Sequence, residues 1–173
     1  MFLISPDCSG NPRRDCNGKR EIAPKFTLQI SLKYIELKNT MTFRFARHTN
    51  NLEKIKFFYS QVLGFQIINQ FENHNGYDGV FIGKLNENWH LEFTQSDSLA
   101  NQTFDEDDIL VFYPESKLEY DRIIKSITNH SIELISSKNP YWNKYGKMIS
   151  DPDGFNIIIS NLKINVNELT IRN

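Results

Sequence analysis

Apolar and polar positions fall into a regular pattern from Thr42 onward. Thr42 to Arg47 alternates as a strand does, with Phe43 and Phe45 on one face and Arg44 and Ala46 on the other. Asn50 followed three positions later by Glu53 has the form of a capping box, and Leu52, Ile55, Tyr59 and Val62 share one helical face. Gly64 supplies the stop. The spacing then predicts strands over Phe65 to Phe71, Tyr77 to Leu85 and Trp89 to Gln95. They are separated by the turns Asn73-His74-Asn75-Gly76 and Asn86-Glu87-Asn88, so the order is β-α-β-β-β.

Residues 96–107 are polar and acidic, and the run Asp105-Glu106-Asp107-Asp108 reads as a solvated linker. The unit then repeats. Ile109 to Tyr113 is a strand, and Ser116 with Glu119 is a second capping box. Leu118, Ile123, Ile124 and Ile127 form an apolar helix face. Strands follow over Ser131 to Ser136, Lys144 to Ser150 and Phe155 to Ser160, with the aromatic loop Asn139-Pro140-Tyr141-Trp142-Asn143 before the second of them. The turn formers Asp151-Pro152-Asp153-Gly154 introduce the last strand. Asn50 to Ser116 and Leu52 to Leu118 are both 66 positions apart, the mark of an internal repeat.

The fold class predicted is α+β, two βαβββ modules forming a curled mixed sheet around a central cavity. The domain runs over 42–161, with one module at about 42–95, the linker at 96–107 and a second module at about 108–161. Residues 1–41 read as a poorly ordered N-terminal extension and 162–173 as a C-terminal tail, with Met41 an alternative translation start.

Composition narrows the function classes. At 173 residues with 39% hydrophobic and 13% aromatic content, the chain can bury one substantial core. The net charge of −1 gives no pull toward nucleic acid or anionic membrane. It hides an asymmetry, since residues 1–40 carry seven Lys/Arg against four Asp/Glu and the remainder is acidic. No apolar run approaches the ~20 residues that cross a bilayer. The start Phe2-Leu3-Ile4 is no secretory leader, so the expected location is cytoplasmic. Cys8 and Cys16 both precede the repeats, which leaves the domain without disulfides, thiolate ligands or a cysteine nucleophile. Phosphate loops, GxSxG elbows and HExxH helices are missing as well.

The repeat resembles the vicinal oxygen chelate superfamily, the glyoxalase, bleomycin-resistance and extradiol-dioxygenase fold. The matching residues are Asn51-Leu52-Glu53 through Phe58-Tyr59, Leu63-Gly64-Phe65, His90-Leu91-Glu92-Phe93 and Asp151-Pro152-Asp153-Gly154. By analogy a homodimer is expected. Members that use a metal take ligands, commonly His or Glu, from the first and last strands of each module. Carried over by position, these fall on Arg44, Glu92, Asp108 and Ile158, and adding the repeat offset to Glu92 also gives 158. Arginine stays protonated and isoleucine has nothing to donate, so the resemblance implies a member without the usual metal and without a cofactor.

Arg44 would then take the neutralising place of a divalent cation beside Glu92. The pair is either an anion-recognising floor or an ion pair with no ligand. His90 shares the face of Glu92 as a ligand, a general base or a plain wall residue, and His48 sits near the strand end. Trp142 and Tyr145 either stack on a flat ligand or plug the open end of the sheet. The function implied is binding: sequestering or sensing a small aromatic or anionic molecule through Arg44, His90, Glu92, Asp108, Trp142 and Tyr145. The alternative is a metal-dependent lyase, isomerase, dioxygenase or thiol transferase with ligands shifted to His48, His90, Glu92 and Asp108. An interaction protein with a filled cavity is a third possibility.

Overall fold

The computed structural model describes residues 41–162. The expectations for residues 1–40, including both cysteines, and for 163–173 lie outside the described residues.

The first module is β1 (Phe43–His48), α1 (Leu52–Phe57) continuing through a π-helical turn (Phe58–Val62), then β2 (Gln66–His74), β3 (Tyr77–Gly83) and β4 (Trp89–Gln95). Its sheet has the order β1-β4-β3-β2, with β1 parallel to β4 and the remaining pairs antiparallel. The second module is β5 (Ile109–Phe112), α2 (Lys117–Asn129), a short α3 (Pro140–Tyr145), β6 (Gly146–Ser150) and β7 (Asn156–Ser160), with the sheet order β5-β7-β6. The fold is the α+β class expected, with two modules carried by two open sheets instead of one continuous sheet.

Several local expectations are corrected. The first helix is capped by Asn51, whose side chain accepts from Lys54 N–H at 2.9 Å. Asn50 instead exchanges hydrogen bonds with both backbone groups of Ala100, pinning the linker. Ser116 caps α2 as expected. Leu118 is 80% exposed and leaves the core face of that helix to Ile123 and Ile127. Ser131 to Ser136 is no strand. Ile132 N–H is spent on the end of α2, at Ile127 O, and only Ile135 bridges to Met148. The aromatic loop is the helix α3, capped by Asn139 with Pro140 in its first turn.

One apolar cluster serves both modules. Ile55, Tyr59 and Val62 meet Val80, Ile82, Leu91 and Phe93 of the first sheet, and the cluster continues through Ile123 and Ile127 to Ile149, Ile157 and Ile159. The alternation of β4 therefore sends Leu91 and Phe93 inward and leaves His90 and Glu92 on the sheet's other face. No helix among the described residues is long and apolar enough to cross a membrane.

Candidate functional site

Three of the residues singled out from sequence meet on that outer face of the four-stranded sheet. The parallel register places Arg44 beside His90 and Ala46 beside Glu92. Arg44 Nε donates to His90 Nε2 at 3.1 Å, and Nη1 donates to Glu92 Oε2 at 2.9 Å. The guanidinium carbon stands 5.2 Å from the ring centre of Phe81, and His90 meets the same ring edge-on at 5.5 Å. Phe81 is opposite Glu92 across the β3–β4 ladder, so one aromatic ring floors both partners. The Arg44 side chain is 53% exposed against 12% for Glu92. Nη2 has no hydrogen-bond partner among the described residues.

The other named residues lie elsewhere. Asp108 is exposed in the linker turn, where its carboxylate accepts from Asp105 N–H at 3.2 Å. Trp142 and Tyr145 both pack on Tyr141 within α3, at 4.9 and 4.8 Å. Among the described residues no hydrogen bond or ring contact joins Asp108, Trp142 or Tyr145 to Arg44, His90 and Glu92. His48 is committed to its own strand end, its Nδ1 3.3 Å from Thr94 Oγ1 and its Nε2 2.9 Å from Ser98 O. Ile158 is fully buried, paired with Val111 and Met148. Its counterpart Glu92 is paired with Ala46 and Phe81, so the repeat is preserved in place but not in chemistry.

Sequence reasoning missed a second constellation. Arg47 is buried, with Nη1 2.8 Å from Asp151 and Nη2 2.9 Å from Asp153. Thr49 Oγ1 donates to Asp153 and the Tyr59 hydroxyl donates to Asp151. The rings of Phe93, Phe104 and Phe155 surround the guanidinium at 5.4, 5.1 and 4.6 Å. Burial, then the charge of Asp151, hold the Tyr59 phenol well above its ordinary range. The signal was available. Position 47 shares the inward face of Phe43 and Phe45, and an inward arginine requires carboxylates.

Both modules have known counterparts. Residues 43–94 match the YycE-like N-terminal domain and residues 107–161 the YycE-like C-terminal domain. The YycE protein of Bacillus subtilis (strain 168) is 38% identical over 121 residues, which cover 69% of this chain and 87% of that one. The chain belongs to the YycE-like family. The crystal structure of YycE from B. subtilis, a protein of unknown function, superposes with a TM-score of 0.66 over 72% of this chain and 92% of its own. Two more distant structures share the fold alone. The trypanothione-dependent glyoxalase I of Leishmania major has 18% identity and a TM-score of 0.54 over 68% of this chain and 84% of its own. The fosfomycin resistance protein FosX of Mesorhizobium loti has 11% identity and a TM-score of 0.52 over 72% and 93%. The chain thus has the fold of the vicinal oxygen chelate superfamily, as the resemblance implied.

The metal used by some members of that superfamily does not fit the residues of this YycE-like chain. The two atoms best suited to ligate, His90 Nε2 and Glu92 Oε2, are both taken by donors of the Arg44 guanidinium. No group of three or more His, Cys, Asp or Glu among the described residues is placed to hold an ion. His48, His90, Glu92 and Asp108 do not assemble into the shifted set.

Proposed function

We propose that this YycE-like protein binds a small anionic molecule, preferably one with an aromatic ring, on the Arg44 face and so sequesters or senses it. The observation that carries this reading is the state of Arg44. Two of its donor groups are spent on His90 and Glu92, which fixes the plane of the guanidinium over Phe81. Among the described residues Nη2 has no partner, and the side chain is half exposed. A carboxylate, phosphonate or similar oxyanion can take that donor in a charge-assisted bond. A flat ring attached to it can lie against Phe81 and His90. Because the guanidinium donates to His90 Nε2 and Glu92 Oε2, the lone pairs a metal would need there are engaged, and the chemistry favoured is recognition without a divalent ion. A cytoplasmic homodimer, with a second chain shielding the open face, belongs to the same reading.

The test pairs binding with metal content. Calorimetric titration of aromatic carboxylates and phosphonates against the protein and its Arg44→Met variant should give saturable binding that the variant loses. Elemental analysis after expression in Mn-, Fe-, Ni- and Zn-supplemented medium should give no stoichiometric ion. One bound ion per chain would overturn the reading in favour of a metal-dependent enzyme.

A further inference from the structure

Where the two modules meet, a groove of about 430 Å³ opens at the end of the shared core, lined in part by Phe43, Phe65, Trp89 and Phe112. It is separate from the Arg44 face. Trp89 and Leu91 line it, and by strand alternation they point away from the side that carries His90 and Glu92. The rings form a continuous wall, with Phe65 5.7 Å from Trp89 and 4.8 Å from Phe112, and Trp89 6.0 Å from Phe112. Phe43 at the mouth is 60% exposed, so the wall reaches water. The volume falls within the range of about 300–1,000 Å³ usual for small-molecule sites.

The charges at the rim decide what such a wall would hold. Three carboxylates line the groove, Glu87, Glu115 and Glu119, against the single ammonium of Lys84. That ammonium is already committed, 3.1 Å from Glu115 and 3.3 Å from Glu119. Glu119 also accepts the Glu115 N–H at 2.7 Å. Burial opposes the ionised form, but this N–H and Lys84 outweigh it and hold the Glu119 carboxyl below its ordinary value. Arg122 also favours the ionised Glu119, but the three carboxylates still outnumber Lys84 and Arg122, so the rim keeps a net negative charge over an aromatic wall. Ring faces attract cations, and a rim of this sign repels anions. We propose that this groove is a second binding site, for a hydrophobic cation of the quaternary-ammonium type carrying apolar or aromatic arms. The site is opposite in charge preference to the Arg44 face and independent of it.

The full chain can be tested with benzyltrimethylammonium, using neopentylbenzene as the same shape without the charge. The chain has two tryptophans, so the indole signals of Trp89 and Trp142 in a proton–nitrogen spectrum separate once Trp142→Phe assigns them. The cation should shift the Trp89 indole saturably and bind about tenfold more tightly than the neutral probe. Glu115→Gln with Glu119→Gln should remove that advantage while the neutral probe binds as before, which also shows that the groove remains intact. Arg44→Met should change neither. Equal affinity for the two probes, no shift at Trp89, or a cation preference surviving both glutamine substitutions would each overturn the proposal.

Discussion

Arg47 Nη1 lies 2.8 Å from Asp151 Oδ2, and both side chains are shut away from water. The contact joins the first strand of the domain to the turn before its last strand. Asp151 is held from several sides, its Oδ1 accepting from the N–H groups of Asp153 and Phe155 while Tyr59 reaches Oδ2. Gly154, at φ +85°, lets the chain close this turn. The two modules are thus pinned by ionic and aromatic contacts around one guanidinium, whose Nε is buried without a partner among the described residues.

Removing that arginine should be severe. Arg47→Met leaves Asp151 and Asp153 buried without their cation, and breaking a buried pair from one side costs about 3–5 kcal/mol. Chemical denaturation should show a matching fall in the unfolding midpoint. Asp153→Asn added to Arg47→Met should recover part of the loss, because one uncompensated charge is gone. No recovery would mean that packing of the three phenylalanines, not charge, dominates at this position.

Tyr59 should make stability depend on pH in alkali. Its hydroxyl is buried and donates to Asp151 at 3.0 Å, and a hydrogen bond to a charged group is worth about 1.5–3 kcal/mol. Burial, then Asp151, raise the phenol above the ordinary value of about 10 that it regains on unfolding. The protonated form is favoured in the fold. Its contribution is therefore complete below pH ~10 and shrinks as pH climbs from there toward the folded value. The stability gap between the natural protein and Tyr59→Phe, followed by denaturation at rising pH, should narrow above pH ~10. A gap that stays constant would contradict the hydrogen bond to Asp151.

Much of this architecture was legible in the residues, because alternation and caps act locally. β1, β4 and β7 fall within a residue or two of the positions that period-two patterning predicts, and Ser116 caps the helix it was expected to cap. The failures have different causes, one a partner distant in sequence and the others local. The carboxylates that the inward Arg47 requires, Asp151 and Asp153, lie 104 and 106 positions away, beyond the reach of any local pattern. Ser131 to Ser136 had strand composition, but the end of α2 claims Ile132 N–H, so pairing shrinks to one bridge. Asn139-Pro140, expected in a loop, is a helix start that its own residues spell out, an asparagine cap followed by proline in the first turn. At the candidate site the strand positions of Arg44, His90 and Glu92 placed them together. No periodicity could say how far Arg44 reaches into water.

Gly146 should resist replacement for steric reasons alone. Its backbone is extended, so any residue could adopt it. A Cβ there would meet Ile159 O at 2.9 Å and Ile158 Cγ2 at 2.7 Å, and the carbonyl is held in the β6–β7 ladder. Gly146→Ala should lower stability by about 1–3 kcal/mol, the usual range for overpacking. A thermal unfolding scan measures this directly. An unchanged midpoint would mean that β6 can slide on β7.

The Arg44–Glu92 pair should behave differently from the buried arginine three positions on. Its bond length of 2.9 Å matches the Arg47 contacts, but the Arg44 side chain is 53% exposed. Water screens the charge, so the pair is worth about 0–1 kcal/mol instead of the 3–5 kcal/mol of a buried one. Arg44→Met should then cost no more than about 1 kcal/mol. In a double-mutant cycle with Glu92→Gln, the loss should be smaller than the sum of the single changes, by a few tenths to about 1 kcal/mol. Ligand affinity should respond far more strongly than stability, since Nη2 has no partner among the described residues while the fold leans little on this side chain. That split separates a binding floor from an ion pair kept for the fold. Should Arg44→Met unfold the protein while the natural chain binds none of the anionic probes, the arginine is structural and the binding reading of this face is wrong.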